Sequence, residues 1–486
     1  MVASNTIIKS GSAQKINFFC LIAAIIIILV LPLKKEIWYD ETISILCSKG
    51  ISHDAPAQFS NVNTISSTTL EQLNNSGAVF NATVTDNANG FLYNMGLHWF
   101  TLLSGNSISA YMMLSKLCGI MTLVAFFALC TLLFGKKLFT SVAILLLAMD
   151  NNFIGLSHEI RDYSMGICFV TLAAVYFYKF MYRQERPLYL FLTGLFSVGA
   201  ILSHFLSVYI VLVFLGALLF TKRTALFSLR NIVAILLPLA LLGLFFYYAY
   251  PGLHVMSVQN QQIHDRSASQ GFSIGEVFLR AIKFTAIDFK IVFPAFADKV
   301  IVSFLSFLLF LALYIAGTKA ATNNADRSRL HLLCILGASS SAFLAILSIR
   351  SQHYTALYYR YFSFCIPFCC LFTAHLFYVF FTQPKSGMIV KSVLPVIIIV
   401  PVCALFLSGI MKSKAVVRYN HVQIASEIVS GNIVKIGVPA WDDAFLIQCF
   451  LPQGYKIDYF RDPDASHFTL YRSTGEEKVP VIKSNS

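Results

Sequence analysis

Charge is what this sequence has least of. Only 12% of its 486 residues are Asp, Glu, Lys or Arg, against 57% hydrophobic, and the mean hydropathy is +0.71. A soluble globular domain is nearer a quarter charged, so a water-soluble enzyme is excluded. There is no Walker A loop, no G-x-G-x-x-G and no H-E-x-x-H. ATP-driven transport, dinucleotide chemistry and zinc proteolysis therefore have no support. None of the 11 cysteines forms a C-x-x-C pair, and most lie inside apolar runs, where Cys behaves as a small apolar residue. Internal repeats and heptads are missing. So is any Gly/Pro-broken pair of apolar segments in matching halves, the mark of a transporter built on inverted repeats.

What remains is long apolar runs. Crossing a bilayer takes about 20 apolar residues per helix, and about eleven spans are expected. They lie near residues 16–33, 107–134, 138–156, 163–181, 188–202, 204–221, 231–250, 299–318, 330–348, 361–382 and 393–411. Only Ser203-His204 separates the fifth and sixth, which read as two short spans or one kinked one. Lys9 and Lys15 precede the first run and no small-residue cleavage site follows it, which predicts a retained signal anchor. The expected fold class is an all-α polytopic membrane protein, with residues 1–411 as the membrane domain.

The net charge of +13 does not form a face for nucleic acid, which is excluded as a partner. The basic residues recur between apolar runs: Lys136-Lys137, Arg183 with Arg186, Lys222-Arg223 with Arg230, Lys319 with Arg327 and Arg329, and Lys385 with Lys391. By the positive-inside rule these clusters are cytoplasmic. The N-terminus is then inside and the C-terminus outside, with Lys34-Lys35 an exception partly offset by Glu36. The outer side receives a long first loop (34–106), the 157–162 and 350–360 connections, the 251–298 loop and a tail from 412 to 486. The expected location is a bacterial inner membrane, crossed many times. The tail reads as a small extracytoplasmic α/β domain: helices over 421–430 and 442–450, strands over 433–438, 456–460 and 468–471. Its size is near the limit for folding alone, so it is expected to rest on the membrane domain. Cys47 and Cys449 fall on the same outer side, as two free thiols or, the less favoured reading, a disulfide. Asn74 and Asn81 head glycosylation sequons, near chance in so Asn-rich a stretch.

Four groups of residues on that outer side carry chemistry. Trp38-Tyr39-Asp40-Glu41 follows the first span. Charge is disfavoured in hydrocarbon, so the acid pair is either solvated, capping a helix that starts near Thr42, or a general base in a cavity. Ser157 to Tyr163 packs His158, Glu159, Arg161 and Asp162 into seven residues. As a helix it would put Glu159 with Tyr163, and His158 with Asp162, on shared faces. Arg161 would then be free to hold a phosphate with its planar fork; the plain reading is an interfacial cluster of ion pairs. The third group is Arg350, His353-Tyr354 and Tyr358-Tyr359-Arg360-Tyr361. Such residues are ordinary interface anchors, or a counter-charge for a lipid phosphate. Last, Leu92, Met95 and Trp99 form a stripe predicting an amphipathic helix on the membrane, with His98 on it in a structural role; His204 lies between two spans.

In order, these segments resemble the polytopic glycosyltransferases of the GT-C fold that use polyprenyl-phosphate sugars, in the branch of protein O-mannosyltransferases and aminoarabinose transferases. The resemblance runs from Trp38 to about Pro367. Trp38-Tyr39-Asp40-Glu41 looks like the family's aromatic-x-Asp-Glu. Leu92-Tyr93, Leu97-His98-Trp99 and Gly105 resemble its Pro-Pro-Leu-Tyr, Leu-His-x-Trp and terminal Gly. Glu159-Ile160-Arg161-Asp162-Tyr163 is similar to Glu-x-Arg-x-Tyr, Leu202-Ser203-His204-Phe205 to Leu-Thr-His-Tyr, and Arg360-Tyr361 with Pro367 to Arg-Tyr…Pro. One departure is that Asn89-Gly90 stands where the family has Pro-Pro, after an acid that Asp86 would match.

The resemblance implies an inverting glycosyltransferase. Asp40 would act as base on an acceptor hydroxyl, with Glu41 beside it; Arg161, Arg360 and Tyr163 would hold the donor phosphate. Glu159, Asp86, His98, His204 and Tyr361 would position substrate. No cofactor or divalent metal is expected, and the partners are the bilayer, the lipid-linked sugar and a glycan, lipid or protein acceptor. Two other activities fit a polytopic chain: a polymerase or ligase of lipid-linked polysaccharide, expected to carry its key loop late in the chain, and a transporter or flippase for a lipid-linked sugar, expected to place ionisable groups near helix centres. A non-enzymatic sensor would leave the Asp40 and Arg161 clusters unexplained.

Overall fold

Apolar sequence becomes helix almost throughout the computed structural model, which describes residues 10–31, 39–52, 64–66, 75–85, 89–135, 137–267, 274–289, 300–351, 359–382, 403, 406–407, 420–431, 433, 435–438, 441–451, 455–461, 467–472 and 475–480. The helices used below are α1 (Ser10–Val30), α2 (Tyr39–Ser48), α3 (Ser76–Thr85), α4 (Phe91–Ser104), α5 (Ile108–Phe134), α6 (Phe139–Ala148), α7 (Asn151–His158) and α8 (Tyr163–Tyr182). They continue as α9 (Pro187–Ser203), α10 (Val208–Thr221), α11 (Leu229–Ser267), α12 (Ile274–Asp288), α13 (Val300–Ala320), α14 (Asn324–Ser351), α15 (Ile366–Thr382), α16 (Asn420–Ser430) and α17 (Trp441–Phe450).

Six described stretches are long and apolar enough to cross a bilayer: Ser12–Val30, Ile108–Phe134, Tyr163–Tyr182, Leu229–Ala249, Asn324–Ile346 and Arg360–Thr382. The protein is a multi-pass membrane protein. A seventh candidate is α6 with α7, bent by 56°, where one span over 138–156 was expected. The bend has a local cause: Asp150 leaves the helix and caps α7, accepting from the Phe153 amide at 2.7 Å. The 188–221 region divides into the short helices α9 and α10, joined by a turn at Phe205–Ser207. Val300–Ala320 contributes the shorter apolar helix Phe304–Ala320. Of the span expected at 393–411, only residues 403 and 406–407 are described.

Two cores hold the chain together. One is the packed interior of the membrane helices, in which α8 and α15 are the most enclosed, with side chains such as Phe126, Tyr178, Phe214 and Phe372 buried. The second joins distant segments: Ile45 and Leu46 of α2, Tyr93 and Leu97 of α4, Tyr111 of α5 and Ile160 pack with Ile424, Ile436, Phe445 and Tyr459 of the tail. The tail therefore shares its core with the first-loop helices, as its small size leads one to expect.

The tail's strands form a five-stranded sheet. We number β1 (Thr64–Ser66), β2 (Lys435–Val438), β3 (Asp458–Arg461), β4 (His467–Arg472) and β5 (Gly475–Pro480). Their order is β1-β3-β2-β4-β5; β2 and β3 run parallel and the other pairs antiparallel. Strand β1 comes from the first loop, pairing Ile65 with Tyr459. A three-residue edge strand carries no periodicity that sequence could reveal. The helices over 420–430 and 441–450 and the three strands match expectation to within two residues, and β5 was not expected.

Candidate active site

The stretch from Ser157 to Tyr163 is not a helix. α7 ends at His158, and Glu159 takes an extended backbone (φ −76°, ψ 139°) as its C-cap, with Asp162 at the N-cap of α8. The face-sharing expected for Glu159 with Tyr163 and His158 with Asp162 is thereby overturned. A helix break exposes backbone amides, and one of them decides the architecture: the buried Glu41 carboxylate accepts from the Ile160 amide at 2.8 Å. Glu41 thus ties α2 to the break. Arg161 then turns back to donate to Ser44 Oγ on α2, at 3.2 Å.

Around the break, three further segments converge. Arg161 Nε lies 3.8 Å from Asp162 Oδ1, a carboxylate that is only 3% exposed. The Arg161 guanidinium stands 5.9 Å over the Tyr163 ring. The Tyr163 ring lies 4.7 Å from the ring of His204, which is exposed from neither side, and 6.4 Å from Tyr361. Arg360 stands 5.4 Å over Tyr361. Asp162, Arg161 and Arg360 all act electrostatically on Tyr163 and His204. His204 Nδ1 accepts from the Leu206 amide at 3.2 Å, while its Nε2 is buried with no hydrogen-bond partner among the described residues.

Two glycines permit this convergence. Gly166, one turn into α8, lets Phe364 approach so closely that a Cβ there would stand 2.6 Å from its ring. This seats the 3-10 stretch Tyr359–Cys365, with Arg360 and Tyr361, against α8. Gly90 sits at φ +72°, and a Cβ would meet Asp162 Oδ2 at 3.0 Å. Proline cannot adopt that φ, which explains the Asn89-Gly90 departure from Pro-Pro. Asn89 in turn accepts from the Phe205 amide, beside His204, at 3.3 Å. Gly90→Ala is expected to destabilise the protein by about 1–2 kcal/mol from the left-handed backbone alone, and to push Asp162 aside. Thermal unfolding of the purified variant checks this; wild-type stability would show that Gly90 is not held in that conformation.

The other expected residues fall as follows. Asp40 lies in the first turn of α2, its side chain outside the described residues, as is all of Asp86. His353, Tyr354 and Tyr358 are also outside them. Glu159 is part-exposed at the rim of the break. His98 is on the buried face of α4 and its Nδ1 donates to the Ser48 carbonyl at 3.0 Å, fixing α4 to the end of α2. Burial holds the His98 pKa below its ordinary value. Trp99, Leu102 and Leu103 are exposed on the other face of α4, where a membrane surface would meet them. Cys47 and Cys449 are not joined in a disulfide.

Sequence reasoning gave no role to Asp162, which stood at a variable place in the resembled motif, nor to Ser44 and Lys49. Lys49 is buried, with Nζ 2.8 Å from Asn106 Oδ1 and 3.3 Å from Thr101 Oγ1, and burial pushes its pKa down. Next to it, Tyr111 Oη donates to the Cys449 carbonyl at 3.1 Å and Asn106 to that of Leu451 at 3.4 Å, clamping the tail. Among the described residues no three His, Cys, Asp or Glu side chains group as metal ligands.

A bundle of membrane helices with a buried ionic and aromatic cluster at one end, braced by a first-loop helix, defines the class. Residues 90–249 match the family model described as dolichyl-phosphate-mannose-protein mannosyltransferase. The resemblance drawn from the motifs is thereby borne out over the segment holding Gly90, His98, Arg161, Tyr163 and His204. Among solved structures, the oligosaccharyltransferase of Archaeoglobus fulgidus, tethered with an acceptor peptide, is similar over 89% of this chain at 9% identity and a TM-score of 0.43. This chain covers 63% of that protein, less than two thirds of its length. ArnT from Cupriavidus metallidurans bound to undecaprenyl phosphate is similar over 90% of this chain and 86% of its own, at 12% identity and a TM-score of 0.40. No curated protein sequence matches the chain.

Proposed function

We propose that this protein is a membrane glycosyltransferase that moves a sugar from a polyprenyl-phosphate donor to an acceptor hydroxyl on the extracytoplasmic face, with inversion. The observation that carries this reading is the meeting of Arg161, Tyr163, His204, Arg360 and Tyr361 at one place, with Glu41 of the first-loop helix bonded to the same helix break. In this reading Asp40 takes the proton of the acceptor hydroxyl as its oxygen attacks the anomeric carbon, on the face opposite the phosphate. The bond from that carbon to the phosphate oxygen breaks, and the electron pair leaves with polyprenyl phosphate. Arg161 and Arg360 stabilise the charge that develops there, with the Tyr163 hydroxyl as a further donor. Asp162 orients Arg161, and Glu41 positions the break. No metal is required.

The ionisable residues stand at helix ends: Arg161 and Asp162 before α8, His204 between α9 and α10, Arg360 before α15. A transporter needs them along a path through the membrane, and a polysaccharide polymerase or ligase would not engage the first loop in this way. Mass analysis of membrane lipids and envelope glycans, from cells with and without the protein, tests the proposal. Its loss is expected to leave a polyprenyl-phosphate sugar accumulated and one glycan or lipid short of that sugar. Unchanged lipids and glycans would overturn it.

A further inference from the structure

The opposite end of the helices holds a second polar site. A cavity of about 260 Å³ lies where α5, α8 and α15 end and α14 begins. The 20 residues of α8 separate it from Tyr163, on the order of 30 Å at 1.5 Å per residue. Its walls carry three cations, Lys137, Arg183 and Arg329, and three phenols, Tyr178, Tyr182 and Tyr378.

These groups are arranged rather than merely present. Lys137 Nζ stands 4.7 Å over the Tyr378 ring and 3.5 Å from its hydroxyl. The Arg329 guanidinium lies 5.4 Å over the Tyr182 ring. The nearby acid is Asp326, which takes one hydrogen bond from Arg329 at 3.4 Å and another from Asn323 at 2.8 Å. Among the described residues, the carboxylate bonded to this lining is Asp326, which is already engaged. Two buried donors complete the wall: the Tyr178 hydroxyl, on a side chain 2% exposed, and Arg329 Nε have no hydrogen-bond partner among the described residues. Buried polar groups in native proteins are almost always partnered, so each calls for an acceptor. Among the described residues no side chain supplies one.

We propose that this cavity binds a phosphate group. Lysine, arginine fork and phenol donors converging from several helices suit a tetrahedral oxyanion with several acceptor oxygens, better than a planar carboxylate held by one fork. The phosphate belongs either to an anionic phospholipid headgroup or to a soluble phosphorylated compound.

The test uses the full-length protein with two probes: inorganic phosphate, read by thermal unfolding in phosphatidylcholine nanodiscs, and phosphatidylglycerol, read by native mass spectrometry of the detergent-solubilised protein. Lys137 and Arg183 are exposed, so K137Q with R183Q leaves the fold intact. Loss of two charge-assisted contacts is expected to weaken binding about tenfold or more. Tyr178→Phe removes only the unpartnered hydroxyl, so it is expected to weaken binding without lowering the stability of the unliganded protein. Retention of phosphatidylglycerol by wild type and not by the double variant assigns a headgroup site; a phosphate-dependent stabilisation lost in that variant assigns a soluble ligand. If both probes bind wild type and the double variant equally, or neither binds, the proposal fails.

Discussion

Asp40→Asn is expected to abolish transfer, lowering the rate by about 10²–10⁴-fold, the usual contribution of a positioned general base. Asparagine keeps the size and polarity of the side chain but cannot take a proton. Asp40 lies in the first turn of α2, whose next residue, Glu41, is bonded to the helix break, and whose Ser44 accepts from Arg161. The proposed base is thus carried on the element to which the Arg161 guanidinium is hydrogen-bonded. Glu41→Gln is the internal contrast. Its amide oxygen can still accept from Ile160, but the amide nitrogen that replaces the second buried oxygen can no longer accept, at a cost of about 1–3 kcal/mol. The Gln variant is expected to lose stability and some activity; the Asn variant is expected to keep its melting temperature and lose activity almost entirely. Transfer assays and thermal unfolding on the same preparations separate the two. Wild-type transfer by Asp40→Asn would sink the mechanism.

Arg360→Ala is expected to lower kcat/KM for the lipid-linked donor on the order of 10²-fold, as loss of one electrostatic contact at a developing charge does. Most of that loss should appear as a raised donor KM, because the donor's singly charged phosphodiester is bound before the reaction as well as in the transition state. Acceptor KM should hold. Arg360→Lys keeps the charge but not the fork, and should recover part of the loss. An unchanged donor KM in the Ala variant would remove Arg360 from the phosphate site. The 3-10 stretch that presents it leads into α15, the most enclosed of the described spans.

Much of this was legible in the chain. Runs of apolar residues predict helices because burial in lipid leaves backbone groups no partner but each other, and this holds residue by residue without knowledge of neighbours. The described runs are indeed helical. The order of the motifs along the chain was equally visible, since it needs only spacing. The helical reading of 157–163 failed because its fate depends on Glu41, 119 residues earlier, which supplies an acceptor for an amide that a continuous helix would have satisfied internally. Asp162 was passed over for a similar reason: its neighbours Gly90, Tyr163 and His204 come from three separate segments.

By itself, then, the sequence determined that this protein lives in a membrane, that its helices are many, and that most of its charged residues lie outside the long apolar runs. These are consequences of local composition, which acts additively along the chain. Only the tertiary structure decided that β1 of the first loop completes the tail's sheet, that a glycine at φ +72° faces Asp162, and that Arg161 and Arg360 bracket one tyrosine and one histidine. Those are pairings between segments far apart, and their free energy exists only once packing has brought both partners out of water together.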